Sequence, residues 1–161
     1  MSTTQIIERG DIFASPCRVL VNPVNCVGVS GKGLAKEFKS RLPRSVAAYE
    51  ADCRRVWPRL GIGRCQDYAV PEHRGRRVIF FPTKNHWRDP SNINDIAAGL
   101  SSLDGLIALA PDRYPSIAIP ALGCGLGQLS WSAVLPLIQD SAARLNECGV
   151  SVEIYAPLEE S

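Results

Sequence analysis

The sequence predicts an α/β sandwich in which helices cover both faces of a mostly parallel sheet. Short apolar segments typical of strands alternate with segments of helical periodicity through most of the chain. Two glycine-rich loops, each between a predicted strand and a predicted helix, also favour this fold. In such sheets ligands bind at the carboxyl ends of the strands, so we expect both loops and Lys84 on one rim.

The first part of the chain contains two predicted strands and two predicted helices. Residues 5–7 and 18–21 are predicted strands, and the second is rich in β-branched residues and ends at Asn22-Pro23. Apolar residues at helical spacing follow Gly33 as far as Pro43, and a second helix is predicted over 45–56.

The second part continues the alternation. Strands are predicted over 65–70, 77–81, 117–119 and 150–155, and helices over 92–109 and 131–145. Ser91 or Asn92 is the expected N-cap of the first of these helices, and Ser130 that of the second. Pro136 lies inside the last helical pattern and should kink that helix or delay its start.

Composition is that of an ordinary globular protein. Of 161 residues, 45% are hydrophobic and 21% are charged, which is enough for one domain with a core. We expect residues 1–157 to form a single domain and 158–161 a C-terminal tail. No apolar run is long enough to span a membrane, and no signal peptide is apparent. We therefore expect no membrane association. A monomer is the expected oligomeric state.

The six cysteines favour a cytoplasmic location. None forms a C-x-x-C pair, and the chain has only two histidines, so no metal site is predicted. The cysteines are expected to be reduced thiols that act as small buried hydrophobes. The net charge of +2 does not by itself indicate a nucleic-acid-binding protein, although a local basic patch is compatible with it.

Each glycine-rich loop has the composition of a phosphate-binding turn. The loops carry Gly28, Gly31 and Gly33, and Gly123, Gly125 and Gly127. Glycine opens the main chain to a ligand, and backbone N–H groups beside a helix N-terminus attract phosphate. Either loop alone is as well explained by a tight turn, but the two together suggest a diphosphate held between them.

Lys84 is the position most suggestive of chemistry. It ends an apolar strand, where an ammonium is costly unless it faces a solvated rim or a partner. A lysine so placed can attack a sugar aldehyde, stabilise charge or hold a phosphate. A solvated lysine at a strand end is the alternative.

The segment around Lys84 suggests contacts with nucleic acid. His86, Trp87 and Arg88 follow it, and Trp87 is suited to stack on a nucleobase, with Arg88 and the arginines of 74–77 contacting phosphates. A tryptophan that simply packs is the more common case.

Three further residues are candidates for a site. Asp11 is suited to accept a hydrogen bond from an adenine amino group, or simply to begin a turn. Asn25 can donate to and accept from ribose hydroxyls, but it is also a common turn residue. Cys124 has no histidine base nearby in sequence, which favours a loop filler over a nucleophile. The second loop offers Gly127 and Gln128 and no acid, so hydrolysis by paired carboxylates is not indicated.

Four segments resemble the macrodomains, the ADP-ribose-binding family, in the order that the family has them. They are GDI at 10–12, NPVNCVGVSGKGLAKEF at 22–38, FPTKNHWR at 81–88 and IPALGCGLGQLSW at 119–131. Within the family the chain is most similar to DarG antitoxin-type DNA ADP-ribosyl glycohydrolase macrodomains, and more distantly to the terminal ADP-ribose protein glycohydrolase. The resemblance implies a three-layer α/β/α sandwich with a central mixed, mostly parallel sheet and ADP-ribose in a cleft above it.

The resemblance also implies roles for individual residues. Asp11 would contact adenine, with Ile12 beside it and Tyr155 nearby, and Lys84 would be the catalytic residue, with Thr83 in the site. Contacts to ribose and diphosphate are implied for Pro23, Val24, Asn25, Gly31, Lys32, Gly33, Leu34, Ala35, Lys36, Glu37, Gly123, Cys124, Gly125, Leu126 and Gly127. No cofactor and no metal are implied.

The chain departs from the resembled proteins in two respects. The terminal ADP-ribose glycohydrolase pairs its lysine with an aspartate where this sequence has Gly127, whereas DarG-type macrodomains carry glycine there. The DarG antitoxin also has a further domain that binds its toxin, and these 161 residues contain none. The chain is therefore expected to be either a stand-alone macrodomain or part of a longer protein.

The expected function is removal of ADP-ribose from thymidine bases in single-stranded DNA, which would reverse the modification made by a toxin. The expected partners are ADP-ribose, ADP-ribosylated single-stranded DNA and a cognate DNA ADP-ribosyltransferase. Two alternatives remain open at this point. One is hydrolysis of ADP-ribose from protein carboxylates, and the other is a reader module that binds ADP-ribose without turnover.

Overall fold

A computed structural model of the chain describes residues 2–56 and 61–158. The strands are β1 (Thr4–Ile7), β2 (Val19–Asn25), β3 (Gln66–Ala69), β4 (Arg77–Lys84), β5 (Ser116–Ile119) and β6 (Ser151–Tyr155). They form one sheet in the order β1-β6-β5-β2-β4-β3, in which every pair of neighbours is parallel except β3 with β4. The predicted mixed, mostly parallel sheet is confirmed.

Helices cover both faces of the sheet, as predicted. They are α1 (Gly33–Arg41), α2 (Pro43–Val56), α3 (Ile93–Leu109) and α4 (Trp131–Glu147). Because side chains alternate across a strand, Val19 and Val21 pack in the core under α3 and α4, whereas Leu20 and Val24 pack under α1 and α2. Two short 3-10 helices, Ile12–Ala14 and Pro111–Arg113, were not predicted.

The helix ends agree only in part with those predicted from the sequence. Asn92 caps α3, since its Oδ1 accepts a hydrogen bond from Asn94 N at 2.8 Å. Ser130 precedes α4 but does not cap it, because its hydroxyl pairs with that of Ser132 at 2.7 Å. The expected delay of α4 by Pro136 is wrong: the helix begins at Trp131 and continues through the proline. Burial of its apolar face against the sheet offsets the lost N–H.

Both long strands continue past a proline that was expected to end them. Pro23 lies inside β2 and Pro82 inside β4. At Pro23, β2 pairs only with β4, since its pairing with β5 involves Val19 and Leu20. At Pro82, β4 pairs only with β2, because the pairing of β4 with β3 extends only from Arg77 to Phe80. A proline without an N–H is tolerated where a strand has a neighbour on one side only.

Residues 2–56 and 61–158 contain neither a membrane-spanning helix nor a cluster of metal-ligating side chains. No helix there combines the length and apolar character needed to cross a membrane. No group of three or more His, Cys, Asp or Glu side chains there is placed to hold a metal ion. All six cysteines are free thiols. Of the expected tail, only Leu158 lies within the described residues, and it is exposed.

Candidate functional site

Asn25 and Lys84 end the two central strands side by side. They are partners in the register of β2 with β4, just after an irregularity between Val24 and Asn25. Beyond the strands, the Cys26 amide donates to the carbonyls of Lys84 (3.1 Å) and Asn85 (2.9 Å). The carboxyl end of the sheet therefore holds an amide side chain and an amine on adjacent strands, which lie about 4.8 Å apart.

The Asn25 side chain organises the first glycine loop (residues 28–33). Its Oδ1 accepts hydrogen bonds from Gly28 N at 3.0 Å and Val29 N at 3.1 Å, and its Nδ2 donates to Val29 O at 2.7 Å. The Tyr49 hydroxyl donates to the Asn25 carbonyl at 2.9 Å. Because an amide nitrogen has two hydrogens, one N–H remains for a ligand.

The first glycine loop presents a run of unpaired amides at the start of α1. The backbone N–H groups of residues 31–35 form no hydrogen bond within the described chain, and Lys32 at the N-cap position gives no side-chain cap. Gly33 has a φ of +61°, which glycine adopts without strain. Free N–H groups at a helix N-terminus are suited to bind a phosphate.

The second glycine loop (residues 123–127) presents a shorter run. The amides on either side of this run form hydrogen bonds within the protein: Cys124 N donates to Ala121 O at 3.1 Å, and Leu129 N donates to Gly123 O at 2.8 Å. The N–H groups of Gly125, Leu126 and Gly127 have no acceptor among the described residues. Successive backbone amides without acceptors are a feature of sites that bind anions.

The two loops are direct neighbours. A Cβ placed on Gly33 would lie 3.4 Å from Cδ1 of Leu126, so the Leu126 side chain of the second loop lies over the first. Both runs of free amides therefore border one cleft at the carboxyl ends of β2 and β5. This is the arrangement that the sequence analysis expected for a diphosphate.

Lys84 lies half-buried at the end of β4. Its ammonium forms no hydrogen bond or ion pair within residues 2–56 and 61–158. Desolvation by burial lowers its pKa below the ordinary lysine value, and the charge of Asp89 partly opposes that shift. An amine with a lowered pKa and no protein partner is available to a ligand.

Asp11 and Tyr155 lie at the far end of the cleft, on the β1 and β6 side of the sheet. Asp11 Oδ1 accepts from Phe13 N at 3.0 Å, and Oδ2 lies 3.6 Å from Arg41 Nη2. Tyr155 packs against Gly10, where a Cβ would be 3.3 Å from its Cε2. Between β6 and β4 there are three strand spacings, roughly 14 Å, so the cleft suits an extended ligand.

Several predicted contact residues have buried side chains. Ile12, Val24, Asn25, Thr83 and Tyr155 belong to the buried set, and the Thr83 hydroxyl donates to Val24 O at 3.3 Å. Lys32, Lys36 and Glu37 are exposed, Leu34 and Ala35 are half-buried in the first turns of α1, and Pro23 is half-buried on β2.

The turn at 86–89 follows Lys84 in the chain and carries Trp87. His86 N donates to Asp89 Oδ2 at 3.3 Å, and Arg88 N to His86 Nδ1 at 3.1 Å. The Trp87 ring is 42% exposed, and its centroid lies 4.7 Å from the Arg88 guanidinium carbon and 5.1 Å from the His86 ring. An exposed aromatic ring with a cation over it is a stacking surface.

The arginines of 74–77 do not lie beside Trp87, so grouping them with Arg88 was wrong. Arg77 begins β4 and Lys84 ends it. At about 3.3 Å per residue, the strand separates the two positions by roughly 23 Å. Closeness in sequence was misleading here because the intervening segment is a fully extended strand.

Cys124 has the properties of a packing residue. Burial raises the pKa of its thiol to about 11, and its Sγ lies 3.6 Å from Leu122 O. A thiol with so high a pKa is a weak nucleophile near neutral pH. The loop-filler interpretation of Cys124 agrees with this environment.

Ser91 shapes the second glycine loop and was considered in the sequence only as a helix cap. Its N–H donates to Gly127 O at 3.0 Å. Its Oγ is buried without a hydrogen-bond partner in the described part of the chain and lies 2.3 Å from where a Cβ on Gly127 would be. That Cβ would also lie 2.6 Å from Gly123 O, so Gly127 cannot carry a side chain in this loop conformation. No local pattern in the sequence indicates this contact.

Comparison with known proteins agrees with the fold. The family model described as Macro domain matches residues 21–138. The chain is 40% identical over 152 residues to a DNA ADP-ribosyl glycohydrolase from Thermus aquaticus, covering 94% of this chain and 41% of that protein. The chain thus spans about two fifths of the length of the curated relatives that it matches.

Two solved structures are closely similar. The macrodomain of Mycobacterium tuberculosis DarG superposes with a TM-score of 0.88 at 36% identity, covering 98% of this chain and all of that one. Thermosipho africanus DarTG in complex with ADP-ribose superposes with a TM-score of 0.84 at 33% identity, covering all of this chain and 43% of that one.

Proposed function

The chain belongs to the Macro domain family, and on that premise we propose that it is a DNA ADP-ribosyl glycohydrolase. It removes ADP-ribose from thymidine bases in single-stranded DNA. The observation that carries this proposal is the position of Lys84, an unpaired and partly desolvated amine at the end of a cleft lined by two runs of free amides. The identity of 40% to a DNA ADP-ribosyl glycohydrolase supports the choice of substrate.

The cleft residues divide the binding of ADP-ribose among themselves. The diphosphate accepts hydrogen bonds from the amides of 31–35 and 125–127, which have no acceptor within the described chain. Adenine lies beside Asp11 and Tyr155, whose ring borders the same turn. The remaining N–H of Asn25 donates to the distal ribose, which places the anomeric carbon near Lys84.

Lys84 acts on the bond between the anomeric carbon and the thymine nitrogen. In a covalent route, the neutral amine bonds to the anomeric carbon as the bond from that carbon to the thymine nitrogen breaks, and thymine leaves with the electron pair and takes up the proton that the lysine nitrogen releases. Water then releases ADP-ribose from the lysine. In an electrostatic route, the ammonium stabilises the departing base while water attacks. Neither route needs a metal ion or a catalytic carboxylate.

The environment of Gly127 favours DNA over protein carboxylates as substrate. An aspartate partner for the lysine at this position would require the loop to move away from Ser91 and Gly123. The acid of the two-residue mechanism is therefore both missing from the sequence and excluded by the packing. Lys84 is left as the only ionisable group proposed at the reacting carbon.

The decisive experiment measures release of ADP-ribose from a thymidine-modified single-stranded oligonucleotide. We expect Lys84→Ala to lower turnover by at least about a thousandfold while binding of ADP-ribose by calorimetry changes little. A peptide ADP-ribosylated on glutamate is the parallel substrate, and we expect slow or no release from it. Tight binding of ADP-ribose without release from either substrate would identify a reader module instead.

The pH dependence of turnover separates the two routes. Burial lowers the pKa of Lys84, so the neutral amine is present at lower pH than for an ordinary lysine. In the covalent route, turnover rises with pH and levels off below the ordinary lysine pKa. In the electrostatic route, turnover falls over the same range, because the ammonium is lost. Lys84→Arg, which keeps the charge, retains turnover only in the electrostatic route.

The turn at 86–89 is proposed to hold the DNA next to the modified base. Its exposed Trp87 ring stacks on a neighbouring nucleobase, with His86 and Arg88 beside it. We expect Trp87→Ala to raise KM for modified oligonucleotide about tenfold and to leave ADP-ribose binding unchanged. Equal KM values for the variant and the wild type would remove this turn from the DNA-binding surface.

We propose the remaining biological setting from the relatives. A cognate DNA ADP-ribosyltransferase toxin is the proposed source of the substrate, as the pairing in Thermosipho africanus DarTG suggests. The protein acts as a monomeric single domain in the cytoplasm, and its six free cysteines are consistent with a reducing compartment. Size-exclusion chromatography with light scattering tests the monomer.

A further inference from the structure

A groove lined by five arginines lies at the end of the sheet opposite the ADP-ribose cleft. The arginines are Arg18, Arg74, Arg76, Arg77 and Arg113. Arg18 directly precedes β2, Arg77 begins β4, and Arg113 ends the 3-10 helix before β5. These are the amino ends of the strands whose carboxyl ends border the cleft. The length of β2 separates the groove from Asn25 by roughly 23 Å, so the groove is not part of that site.

The groove concentrates the positive charge of the protein. Its lining contains one acid, Asp112, and Asp67 beneath it pairs with Arg77, whose Nε lies 2.8 Å from Oδ1. Five arginines against two aspartates leave three net positive charges, more than the +2 of the whole chain. None of the other four arginines forms an ion pair within residues 2–56 and 61–158.

The shape of the groove is fixed by hydrogen bonds and by a glycine turn. Arg76 donates to the carbonyls of Ser15 and Cys17, which ties the turn before β4 to the segment before β2. Gly75, with a φ of +85°, lets this turn approach Arg18, whose guanidinium lies 3.6 Å from the position of a Cβ on Gly75. The guanidinium groups therefore border one concave surface.

We propose that this groove binds the phosphate backbone of single-stranded nucleic acid without sequence preference. Guanidinium groups bind phosphate oxygens in pairs, and all five cations here are arginines. Arginines without acid partners in a groove form the electrostatic track of proteins that bind single strands. The proposal does not require turnover, since it concerns unmodified strand.

The groove is less suited to an acidic protein partner. Protein interfaces usually have an apolar or aromatic centre. The exposed large apolar residues of the described chain are Val29, Trp87, Leu109, Leu126 and Leu158, and none of them lines the groove. A phosphodiester chain needs only charge and access, which the groove supplies.

The test measures binding of a labelled, unmodified single-stranded oligonucleotide of mixed sequence by fluorescence anisotropy. The variant Arg18→Glu/Arg74→Glu reverses two exposed groove charges. The variant Arg54→Glu/Arg64→Glu reverses two exposed arginines outside the lining and has the same net charge. We expect at least a tenfold loss of affinity at about 50 mM salt for the groove variant, a shallower salt dependence, and less than about a threefold loss for the control.

Circular dichroism and ADP-ribose calorimetry check that each variant is folded. If the groove variant is unfolded, Arg74→Ala/Arg113→Ala replaces it and is expected to lose affinity about fivefold. Equal losses in groove and control variants, or none in either, would overturn the proposal. Tighter binding of a polyglutamate peptide than of the oligonucleotide, abolished in the groove variant, would overturn it in favour of an acidic protein segment. This binding experiment does not depend on turnover by Lys84. A failure of the groove proposal can therefore be told apart from a failure of the proposed catalytic role of Lys84.

Discussion

The first glycine loop packs against α2, and the second packs against the segment that precedes α3. In the first loop Gly28 touches the helix, where a Cβ would be 3.0 Å from Cys53 Cβ, while Gly31 has space around it. In the second loop Gly123 and Gly127 are both enclosed, and only Gly125 has nothing within 4 Å. Loops of similar composition thus use glycine for two purposes, to fit the scaffold and to open the main chain to a ligand.

The two loops also differ in backbone strain. Every described residue of the first loop with positive φ is a glycine, whereas the second loop is followed by Gln128 with a φ of +67°. A left-handed conformation costs a residue with a Cβ roughly 1 kcal/mol or more. The second loop is therefore the tighter and more strained of the two, and substitutions should separate them in a definite order.

The largest effect is expected for Gly127→Ala. The new Cβ would meet Ser91 Oγ at 2.3 Å and Gly123 O at 2.6 Å, so the second loop must rearrange. We expect a loss of about 2–4 kcal/mol in the free energy of unfolding, measured with urea. Gly125→Ala, two residues away in the same loop, is the matched control and should change stability by less than about 0.5 kcal/mol. Similar losses in both variants would show that enclosure is not what distinguishes these glycines.

A smaller loss is expected for Gly28→Ala in the first loop. Here the residue has a φ of +79°, and its Cβ would lie 3.0 Å from Cys53 Cβ. We expect a loss of about 1–2 kcal/mol in urea unfolding. Gly31→Ala is its control, since it has no positive φ and its nearest neighbour would be Val29 Cγ1 at 3.9 Å. A loss at position 31 as large as that at 28 would contradict the division of roles within this loop.

Gln128→Gly should move stability in the opposite direction. Glycine relieves the strain of the left-handed backbone but adds freedom to the unfolded chain, so we expect a net gain of about 0.5 kcal/mol. The urea midpoint should rise while the slope of the transition stays constant. A loss of stability would mean that contacts of the Gln128 side chain outweigh the backbone strain.

The smallest effect is expected for Ser91→Ala. Its buried Oγ has no hydrogen-bond partner among residues 2–56 and 61–158, so its removal should leave the free energy of unfolding unchanged or raise it by a few tenths of a kcal/mol. Combined with Gly127→Ala, it removes the shortest of the three close contacts that the new Cβ makes, and the double variant should be more stable than Gly127→Ala alone. If the effects of the two substitutions on the free energy of unfolding were strictly additive, the destabilising contact of the new Cβ would be the one with Gly123 O and not the one with Ser91 Oγ.

Much of the architecture was predictable because it rests on local patterns. Apolar periodicity located the six strands and four α-helices of the described residues, and their alternation predicted helices on both faces. The strand ends were less predictable. Whether a proline ends a strand depends on the neighbouring strand, and β5 and β3 leave Pro23 and Pro82 with one partner each.

The candidate site was predictable at the level of segments and less so at the level of single residues. The carboxyl ends of parallel strands meet at one edge, so Asn25, Lys84 and both glycine loops could be placed together from topology. The use of the Asn25 side chain inside its own loop, and the contact of Ser91 with Gly127, depend on atoms distant in sequence. No local pattern encodes such contacts.

The sequence by itself determined the order of elements, the family, and the position of the two glycine-rich loops between strand and helix. Only the tertiary structure decided which glycines are enclosed, that Lys84 has no partner among the described residues, and that the arginines of 74–77 belong to the opposite end of the sheet. The physical reason is that periodicity and backbone preference act over a few residues. Enclosure and charge separation are set instead by how the strands run and by what packs beside them.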